Sequence, residues 1–412
     1  MDRNNKLFIA ASLANGASFS MILPLLAPLI RELKLSELQG GAMVSIGALL
    51  MAISALYISK KQNKFSIYQL LSIGLVGMAI TWGLFALVLN YGLSAQVSLV
   101  VLFSLLMFAR AATGVFMAMP QIALQSYVMT TNNNEQQRSQ AMAKFGALNS
   151  VGVIVGPLLT TLLLGLGGMM TPLWGAIIIL SLISGIVIIA FEPQTLTFQK
   201  SEIINNESVS KTASNFGIKQ CYAWLILGFS LYLAIVTVNL TAGFYIQDRF
   251  DMNAAQGAVH FAECSLIVGI SLVLMQTLLA KYLRWSVYRL LWVGLTNMVL
   301  ALSISSFTAN LSIFQATYVL YGISVACLIP AFSTGAAQSA PNHLQTKVAS
   351  WCTATQALSF VIGPIISTGL YQWHRAFPYY FLLFVMLALM IFFILHSKMK
   401  VEHTVSSNEK MI

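Results

Sequence analysis

Long apolar runs separated by short polar segments fill almost the whole chain. A helix needs about 20 mostly apolar residues to cross the hydrocarbon core of a bilayer. The first run, residues 7–30, is longer than the core of a signal peptide, so we expect it to be retained as a membrane span. Together the runs predict twelve membrane-spanning helices, at 7–30, 38–59, 66–89, 97–120, 141–166, 172–191, 221–246, 254–280, 286–307, 312–335, 347–370 and 377–397.

One long polar segment interrupts this pattern. Residues 192–220 are rich in Ser and Asn and contain no apolar run, which predicts a cytoplasmic linker between two groups of six spans. We therefore expect an all-α membrane protein built from two six-helix bundles, at 1–191 and 221–412. The second bundle would end in a short cytoplasmic tail.

The second half of the chain repeats segments of the first half in the same order. Three pairs of segments match: 65–75 with 285–295, 33–40 with 250–257, and 156–161 with 363–368, at offsets of 220, 217 and 207. The offsets differ only by small changes in loop length. The matches predict that the two bundles are pseudo-symmetric copies, an arrangement found in transporters that bind substrate between their halves.

The composition excludes a water-soluble protein. Hydrophobic residues make up 58% of the chain and charged residues 8%, whereas soluble proteins average about 25% charged residues. The net charge of +10 follows the predicted topology. Of the 22 Lys and Arg residues, 17 fall on the side of the N-terminus, four on the opposite side, and Arg110 within a span. The positive-inside rule then predicts that both termini lie in the cytoplasm, and no nucleic-acid partner is expected. We expect the protein to reside in the inner membrane.

The sequence lacks the residue patterns of an enzyme, an ATPase or a metal site. The four cysteines and five histidines are scattered, without the spacing of a disulfide framework or a zinc site. No Gly-x-x-x-x-Gly-Lys-Ser/Thr sequence is present. We expect no enzymatic activity, no cofactor and no metal.

A glycine series lies in the fifth predicted span. Gly146, Gly152 and Gly156 precede Pro157, and such residues destabilise helices in water but allow close helix packing in membranes. The series resembles the antiporter motif in the fifth helix of the major facilitator superfamily. A second Gly-Pro pair, Gly363-Pro364, stands at the matching place in the second half. We expect these residues to support conformational change.

Two further motifs carry the same resemblance, which extends over nearly the whole chain. Arg110 and Gly114 match the Arg-x-x-x-Gly motif of the fourth helix, and Glu135 with Arg138 is similar to the acidic-then-Arg pattern of the next cytoplasmic loop. The resemblance points to the twelve-span drug:proton antiporters, and it implies export driven by the proton gradient. The loop at 59–65 lacks the family's usual Asp and Gly, and the first helix lacks an acid. Proton coupling would therefore use other residues.

Three ionisable residues at span depth are the candidates for proton coupling. A charge at the bilayer centre costs about 2.5–3.5 kcal/mol on insertion scales, so such residues are functional candidates by default. Arg110 would either face the cavity, to bind an anion or exchange protons, or hydrogen-bond backbone carbonyls and fix its helix. His260 and Glu263 share a helix face and could load a proton, or they could form a rim pair or a structural contact.

Polar, aromatic and methionine side chains at span depth are the candidates for substrate binding. Methionine would give a deformable wall for apolar ligands. Ordinary packing or hydrogen bonding between helices is the alternative for each residue. The candidates are Asn15, Arg110, Met117, Asn149, Tyr232, Asn239, Tyr321 and Gln356.

These features predict a proton-coupled exporter that moves an amphiphilic small molecule across the inner membrane by alternating access. A drug-like compound or a secreted metabolite such as a siderophore would fit, and Arg110 favours a carboxylate on the substrate. The partners would be the substrate, protons and the lipid bilayer, and we expect a monomer. Proton-symport uptake and a non-transporting sensor or scaffold on the same fold are the alternatives.

Overall fold

The computed structural model describes residues 3–60, 65–94, 97–131, 151–152, 155–191, 220–283, 285–339 and 345–409, and apart from the turns these residues are helical. Eleven of the described helices are long and apolar enough to cross a membrane, and the helix Val155–Gly167 is shorter. The predicted all-α membrane fold is confirmed. The helices are α1 Arg3–Glu32, α2 Glu37–Lys60, α3 Ile67–Ser94, α4 Leu99–Thr131, α5 Val155–Gly167, α6 Thr171–Ala190, α7 Tyr222–Phe250, α8 Ala254–Leu278 (continued by a π-helical turn at Leu279–Leu283), α9 Val287–Phe307, α10 Leu311–Gln338, α11 Gln345–Trp373 and α12 Phe377–Glu409.

The helices match the predicted spans, and several extend beyond the apolar runs. The helix α4 continues to Thr131 and α7 continues to Phe250, because polar residues at a membrane surface can remain helical. The predicted span 141–166 is described only at 151–152 and from residue 155 onward. The predicted linker 192–220 lies outside the described residues except for Gln220. Four further sequence candidates also lie outside them: Glu135, Arg138, Gly146 and Asn149.

The helices contact one another in two groups. In the first group, α1 packs on α6 and α2, while α3 packs on α4 and α6. In the second, α10 packs on α8 and α9, while α7 packs on α11 and α12. The groups meet where α1 contacts α7 and α8, and where α2 contacts α11. We call the end of the molecule at which α1 ends and α2 begins the distal face.

The repeated segments adopt the same local structure in both halves. At the start of α2, the Gln39 amide donates to Ser36 Oγ (3.2 Å) and the Ser36 amide donates to Gln39 Oε1 (2.8 Å). At the start of α8, the Gln256 amide donates to Asn253 Oδ1 (2.9 Å) and the Asn253 amide donates to Gln256 Oε1 (3.2 Å). Each arrangement is a capping box, which satisfies amides that the helix itself leaves unpaired. The two boxes stand at the sequence offset of 217.

Each of the two Gly-Pro motifs contains an equivalent hydrogen bond. The Thr161 hydroxyl donates to the Pro157 carbonyl at 3.0 Å, and the Thr368 hydroxyl donates to the Pro364 carbonyl at 2.6 Å. In both helices the proline ring removes a backbone donor, and neighbouring groups adjust around the site. The sequence repeat is therefore also a repeat of local structure.

Gly156 of α5 and Gly152, four residues before it in the chain, pack against the backbone of α1. A methyl group at Gly152 would lie 2.5 Å from the Leu13 carbonyl oxygen, and one at Gly156 would lie 2.7 Å from the Ala17 carbonyl oxygen. Thr160 adds a hydrogen bond to the Met21 carbonyl at 2.9 Å. These positions therefore need glycine because two helix backbones approach there.

Candidate substrate cavity and distal closure

A cavity of about 370 Å³ lies between the two groups of helices. Its walls come from both halves, since α1, α2 and α5 contribute residues along with α7 to α11. The contributing positions lie near the middle of the long helices α1, α7 and α8, which is the depth at which transporters of this architecture bind substrate. The lining residues are Ser20, Val44, Pro157, Ala234, Ile235, Val236, Val238, Asn239, Leu240, Ser265, Val268, Gly269, Leu272, Met298, Tyr318, Tyr321, Val325 and Phe360.

Two serines in the cavity wall donate their hydroxyl hydrogen bonds to backbone carbonyls of their own helices. Ser20 Oγ donates to the Gly16 carbonyl at 3.0 Å, and Ser265 Oγ donates to the Phe261 carbonyl at 2.9 Å. Such bonds to the residue one turn back are common for serine in membrane helices. Each hydroxyl therefore presents an oxygen lone pair to its surroundings.

Asn239 and Tyr321 are likewise held by protein groups. Asn239 Nδ2 donates to the Ile235 carbonyl at 2.8 Å, so the amide oxygen is not used in that bond. The Tyr321 hydroxyl donates to Ser305 Oγ at 3.1 Å, and Ser305 Oγ lies 2.9 Å from Thr317 Oγ1. Both residues are sequence candidates for substrate binding, and both line the cavity.

The other described substrate candidates lie outside the cavity wall. Tyr232 packs its ring against that of Phe360, a wall residue, with the centroids 6.0 Å apart. Asn15, Met117 and Gln356 are partly buried in α1, α4 and α11, and none of them lines the cavity. Their predicted role stays a prediction.

Arg110 is enclosed within the first group of helices. Its side chain is buried, and its guanidinium carbon lies 4.9 Å from the centroid of the Trp82 ring on α3. Arg110 Nη1 makes no hydrogen bond within the described part of the chain. A methyl group at Gly47 of α2 would lie 3.6 Å from the guanidinium carbon, so three helices surround this charge. Arg110 does not line the cavity.

Gly114 of the same motif lies at a close crossing of α4 and α2. A methyl group at Gly114 would lie 2.9 Å from the carbonyl carbon of Gly47. The Arg110–Gly114 motif therefore contacts α2 at both of its ends.

His260 and Glu263 form a cluster with Gln315 of α10. His260 Nδ1 lies 2.8 Å from Glu263 Oε2, and Gln315 Nε2 donates to the same carboxylate oxygen at 2.7 Å. Gln315 Nε2 also lies 3.4 Å from His260 Nδ1. The predicted pairing of His260 with Glu263 is present, and a glutamine that the sequence analysis did not select completes it.

This cluster lies on the side of α8 that faces away from the cavity. Glu263 is 41% exposed, and Gln256 and Ile270, seven residues before and after it, are also exposed. The cavity residues Ser265 and Leu272 occupy the opposite side of the same helix. In this conformation Glu263 is therefore separated from the cavity by the thickness of α8.

A polar network joins the two halves at the distal face. Arg31 at the end of α1 donates two hydrogen bonds to Asp248 near the end of α7, at 2.5 Å to Oδ1 and 2.6 Å to Oδ2. Arg31 also bonds Glu37 Oε1 at 2.9 Å. Asp248 accepts a further bond from the Tyr371 hydroxyl at 2.6 Å, and its backbone carbonyl accepts one from Arg375. Paired planar bonds of this kind are among the stronger charge-assisted contacts in proteins.

Close backbone contacts accompany this network. A methyl group at Gly243 of α7 would lie 2.8 Å from the Ala27 Cβ of α1. A methyl group at Gly41 of α2 would lie 2.6 Å from the Pro364 carbonyl oxygen of α11. These contacts and the Arg31–Asp248 pair together form what we call the distal closure.

The sequence analysis missed the Arg31–Asp248 pair, although the repeats contain the signal. In that analysis Arg31 was only one of the four basic residues on the side opposite the N-terminus, and Asp248 was not a candidate. The two residues are 217 positions apart, which is the offset between the repeated segments 33–40 and 250–257. Arg31 and Asp248 stand at equivalent positions of the two repeats, and the ends of α1 and α7 that carry them meet between the halves. Opposite charges at such equivalent positions therefore predict a contact between the halves.

Comparisons with known proteins agree with this architecture. A model of the Major Facilitator Superfamily matches residues 8–364. A comparison with curated proteins by sequence gave no match.

Several solved transporters share the fold at low sequence identity. The nucleoside transporter NupG is 10% identical with a TM-score of 0.73, and the match covers 95% of this chain and 99% of that one. An inward-facing, occupied bacterial homologue of the human lysosomal transporter Spinster is 13% identical with a TM-score of 0.69, covering 96% of both chains. A POT-family transporter in complex with a thioalcohol-conjugated peptide is 11% identical with a TM-score of 0.72, covering 95% and 96%. At such identities the likeness establishes the fold alone.

Proposed function

Because the chain belongs to the major facilitator superfamily, and is thus a multi-pass membrane transporter and not an enzyme, we propose that it is a proton-coupled exporter of an amphiphilic small molecule. The substrate would cross the inner membrane by alternating access, in which two helix bundles rock around a central binding site.

The observation that carries this proposal is the combination of a central cavity with a closure on one side. The cavity of about 370 Å³ lies between the halves, and the distal closure joins the same halves at one end of the molecule. Alternating access requires this arrangement, since the site must be closed to one side while it exchanges with the other.

The distribution of basic residues supports an orientation with the distal face outside the cell. Most Lys and Arg residues fall on the opposite side, which the positive-inside rule assigns to the cytoplasm. In this orientation the conformation is closed toward the outside. An exporter loads its substrate in such a state.

Two carboxylates in the described helices could couple proton movement to this cycle. Glu263 accepts bonds from His260 and Gln315, and the charge of this cluster would change when it binds a proton. Asp248 holds the distal closure through Arg31, so protonation of Asp248 from outside would weaken that closure. We propose that both carboxylates take part, one in the body of α8 and one in the closure.

The proposal is tested by measuring the accumulation of a panel of amphiphilic compounds, including N-phenyl-1-naphthylamine, in cells with and without the protein. We expect lower accumulation in cells that contain the protein, and a protonophore should abolish the difference. Export that continues after the proton gradient collapses would exclude antiport. Higher accumulation caused by the protein would indicate uptake instead.

The matched variants are Glu263→Gln and Glu32→Gln. Glu263→Gln removes a carboxylate from the His260 cluster and should abolish gradient-driven export with normal membrane insertion. Glu32→Gln makes the same chemical change at an exposed position at the end of α1 and should leave export unchanged. Equal behaviour of the two variants would exclude Glu263 from proton coupling.

A further inference from the structure

We propose that the cavity binds an uncharged, largely apolar molecule through hydrogen-bond donors carried by that molecule, and that it disfavours carboxylates. This inference rests on the proposed function, because it assigns the substrate class of the same central site. It follows from three properties of the cavity wall: its lack of charge, the direction of its hydrogen bonds, and the absence of the buried Arg110 from the described residues that line it.

The first property is the absence of charge. None of the lining residues in the described part of the chain is Asp, Glu, Lys, Arg or His. A charged group that leaves water for such a site loses its hydration and gains no opposite charge. An uncharged apolar molecule loses much less hydration and gains contacts with the aliphatic and aromatic side chains of the wall. The wall therefore selects against ions of either sign.

The second property is the direction of the hydrogen bonds. The hydroxyl protons of Ser20, Ser265 and Tyr321 are all directed at protein acceptors, so each of these lining residues keeps oxygen lone pairs but has no free proton to donate to a ligand. The Asn239 amide oxygen adds a fourth acceptor, because the Ile235 carbonyl binds the amide nitrogen. A carboxylate or phosphate has only acceptors at neutral pH and would face these oxygens without a bond. A hydroxyl or N–H group on the substrate complements them.

The Tyr321 hydroxyl is the most firmly oriented of these groups. Its acceptor Ser305 is buried and lies in hydrogen-bond contact with Thr317, which is also buried. The hydroxyl of Tyr318 is itself fully buried, so this second tyrosine presents its ring to the cavity. Tyr321 and Tyr318 therefore contribute one oriented acceptor and an aromatic surface to the cavity wall.

The third property is the position of Arg110. The guanidinium lies over the Trp82 ring of α3 and next to Gly47 of α2, and Arg110 is not among the residues that line the cavity. A carboxylate on the substrate would therefore meet no counter-charge there. The cavity volume of about 370 Å³ falls in the roughly 300–1,000 Å³ range of small-molecule sites, so a substrate with one or two rings fits.

The inference is tested with three probes that share an apolar body: 2-naphthalenemethanol, its methyl ether and 2-naphthoate. Binding of each to the purified full-length protein in lipid nanodiscs is measured by equilibrium dialysis. We expect the alcohol to bind about five- to tenfold more tightly than the ether, which lacks the donor, and 2-naphthoate to bind weakest of the three. Equal or tighter binding of 2-naphthoate overturns the inference, as does failure of the alcohol to bind.

Variants then locate the effect in the cavity. Tyr321→Phe and Asn239→Leu each remove an acceptor and should reduce the preference for the alcohol over the ether. Tyr282→Phe, at an exposed position beyond α8, should leave the preference unchanged. A preference that survives both cavity variants overturns the inference.

The same probes separate this inference from the proposed function. If the alcohol binds as expected but no substrate is exported under a proton gradient, the cavity chemistry stands and the exporter proposal fails. If 2-naphthoate binds best while gradient-driven export is observed, the exporter proposal stands and the inference about substrate class fails.

Discussion

Asp248, which the sequence analysis did not select, contacts the other half of the molecule through Arg31 and also contacts two residues of its own half, Tyr371 and Arg375. Its carboxylate accepts bonds from Arg31 and Tyr371, and its carbonyl accepts one from Arg375. The carboxylate is about one third exposed, so water screens part of its interaction with Arg31. Its importance therefore lies in geometry, since one side chain contacts both α1 and α11.

We predict that Asp248→Asn shifts the protein toward a conformation that is open at the distal face. The asparagine keeps the size of the side chain but loses the charge, and a hydrogen bond to a charged group contributes about 1.5–3 kcal/mol. The measurement is the distance between spin labels at Ser94→Cys and Ser312→Cys, which are exposed near the distal ends of α3 and α10, in a background without native cysteines. The long-distance population should grow several-fold.

The charge exchange Arg31→Asp with Asp248→Arg is the corresponding control. It places the same two charges at equivalent ends of α1 and α7 in reversed order, so it should restore part of the closed population. If Asp248→Asn leaves the distance distribution unchanged, the ion pair does not contribute to the closure.

Arg110 is a second residue whose role depends on its surroundings. Its guanidinium lies over the Trp82 ring, and a cation over an indole contributes about 0.5–2 kcal/mol. We predict that Arg110→Lys lowers thermal stability in detergent, because lysine keeps the charge but cannot stack in the same way. Binding of 2-naphthalenemethanol should change little.

Trp82→Phe is the matched variant, since it reduces the same contact from the other side. It should lower thermal stability in the same direction as Arg110→Lys. An Arg110→Lys protein with unchanged stability and lost ligand binding would instead support the substrate-binding role that the sequence predicts for Arg110.

The sequence could identify ionisable residues at span depth but not the direction in which they point. Glu263 and Arg110 are both found from their positions inside predicted spans, because charges are rare in apolar runs. Which face of a helix meets lipid, cavity or neighbour depends on helix rotation, and helix rotation is set by packing between distant segments. Glu263 consequently lies on the outer side of α8, and Arg110 lies between helices of one bundle.

At the scale of helices, the sequence predicts much more. Twelve apolar runs gave the spans, and the repeat at an offset of 217 predicted equivalent structure at two loops. Lys34 and Asp251 stand at this offset and share a left-handed backbone conformation, with φ of 58° and 52°. Local sequence determines such turns and caps, because their hydrogen bonds connect residues only a few positions apart.

The packing of α5 on α1 gives a prediction at this scale. A methyl group at Gly152 would lie 2.5 Å from the Leu13 carbonyl oxygen, whereas one at Gly165 of α5 would have no neighbour within 4 Å. We expect Gly152→Ala to destabilise the protein by about 1–3 kcal/mol, as overpacked sites usually do. Thermal unfolding in detergent measures the difference.

Gly165→Ala is the control, since it makes the same substitution at a position with open space. It should be neutral or slightly stabilising, because alanine favours the helix over glycine. Equal stability of the Gly152 and Gly165 variants would contradict the close approach of the backbone at Gly152 to α1.

For the whole molecule, the distal closure acts as one interface between two bodies. Its contacts are spread over two helix pairs, α1 with α7 and α2 with α11. If the bundles move as units, each contact adds its free energy to a single equilibrium between closed and open forms. A change at the α2–α11 contact should then have the same consequence as a change at the Arg31–Asp248 pair.

Gly41→Ala tests this idea. The added methyl group would lie 2.6 Å from the Pro364 carbonyl oxygen, so α2 and α11 must separate in the closed form. The clash disappears when the halves move apart, and the variant therefore destabilises the closed form selectively. We predict a longer distance between labels at Ser94→Cys and Ser312→Cys, in the direction expected for Asp248→Asn.

The double variant Gly41→Ala with Asp248→Asn distinguishes one rigid-body equilibrium from two local ones. With a single equilibrium, the free-energy shifts of separate sites add. The factor by which the double variant raises the open-to-closed ratio should then equal the product of the factors measured for the two single variants. Gly83→Ala, which meets no atom within 4 Å, controls for the glycine substitution. A double variant no more open than Asp248→Asn alone would show that the α2–α11 contact does not share the equilibrium, and the two bundles would then not move as units.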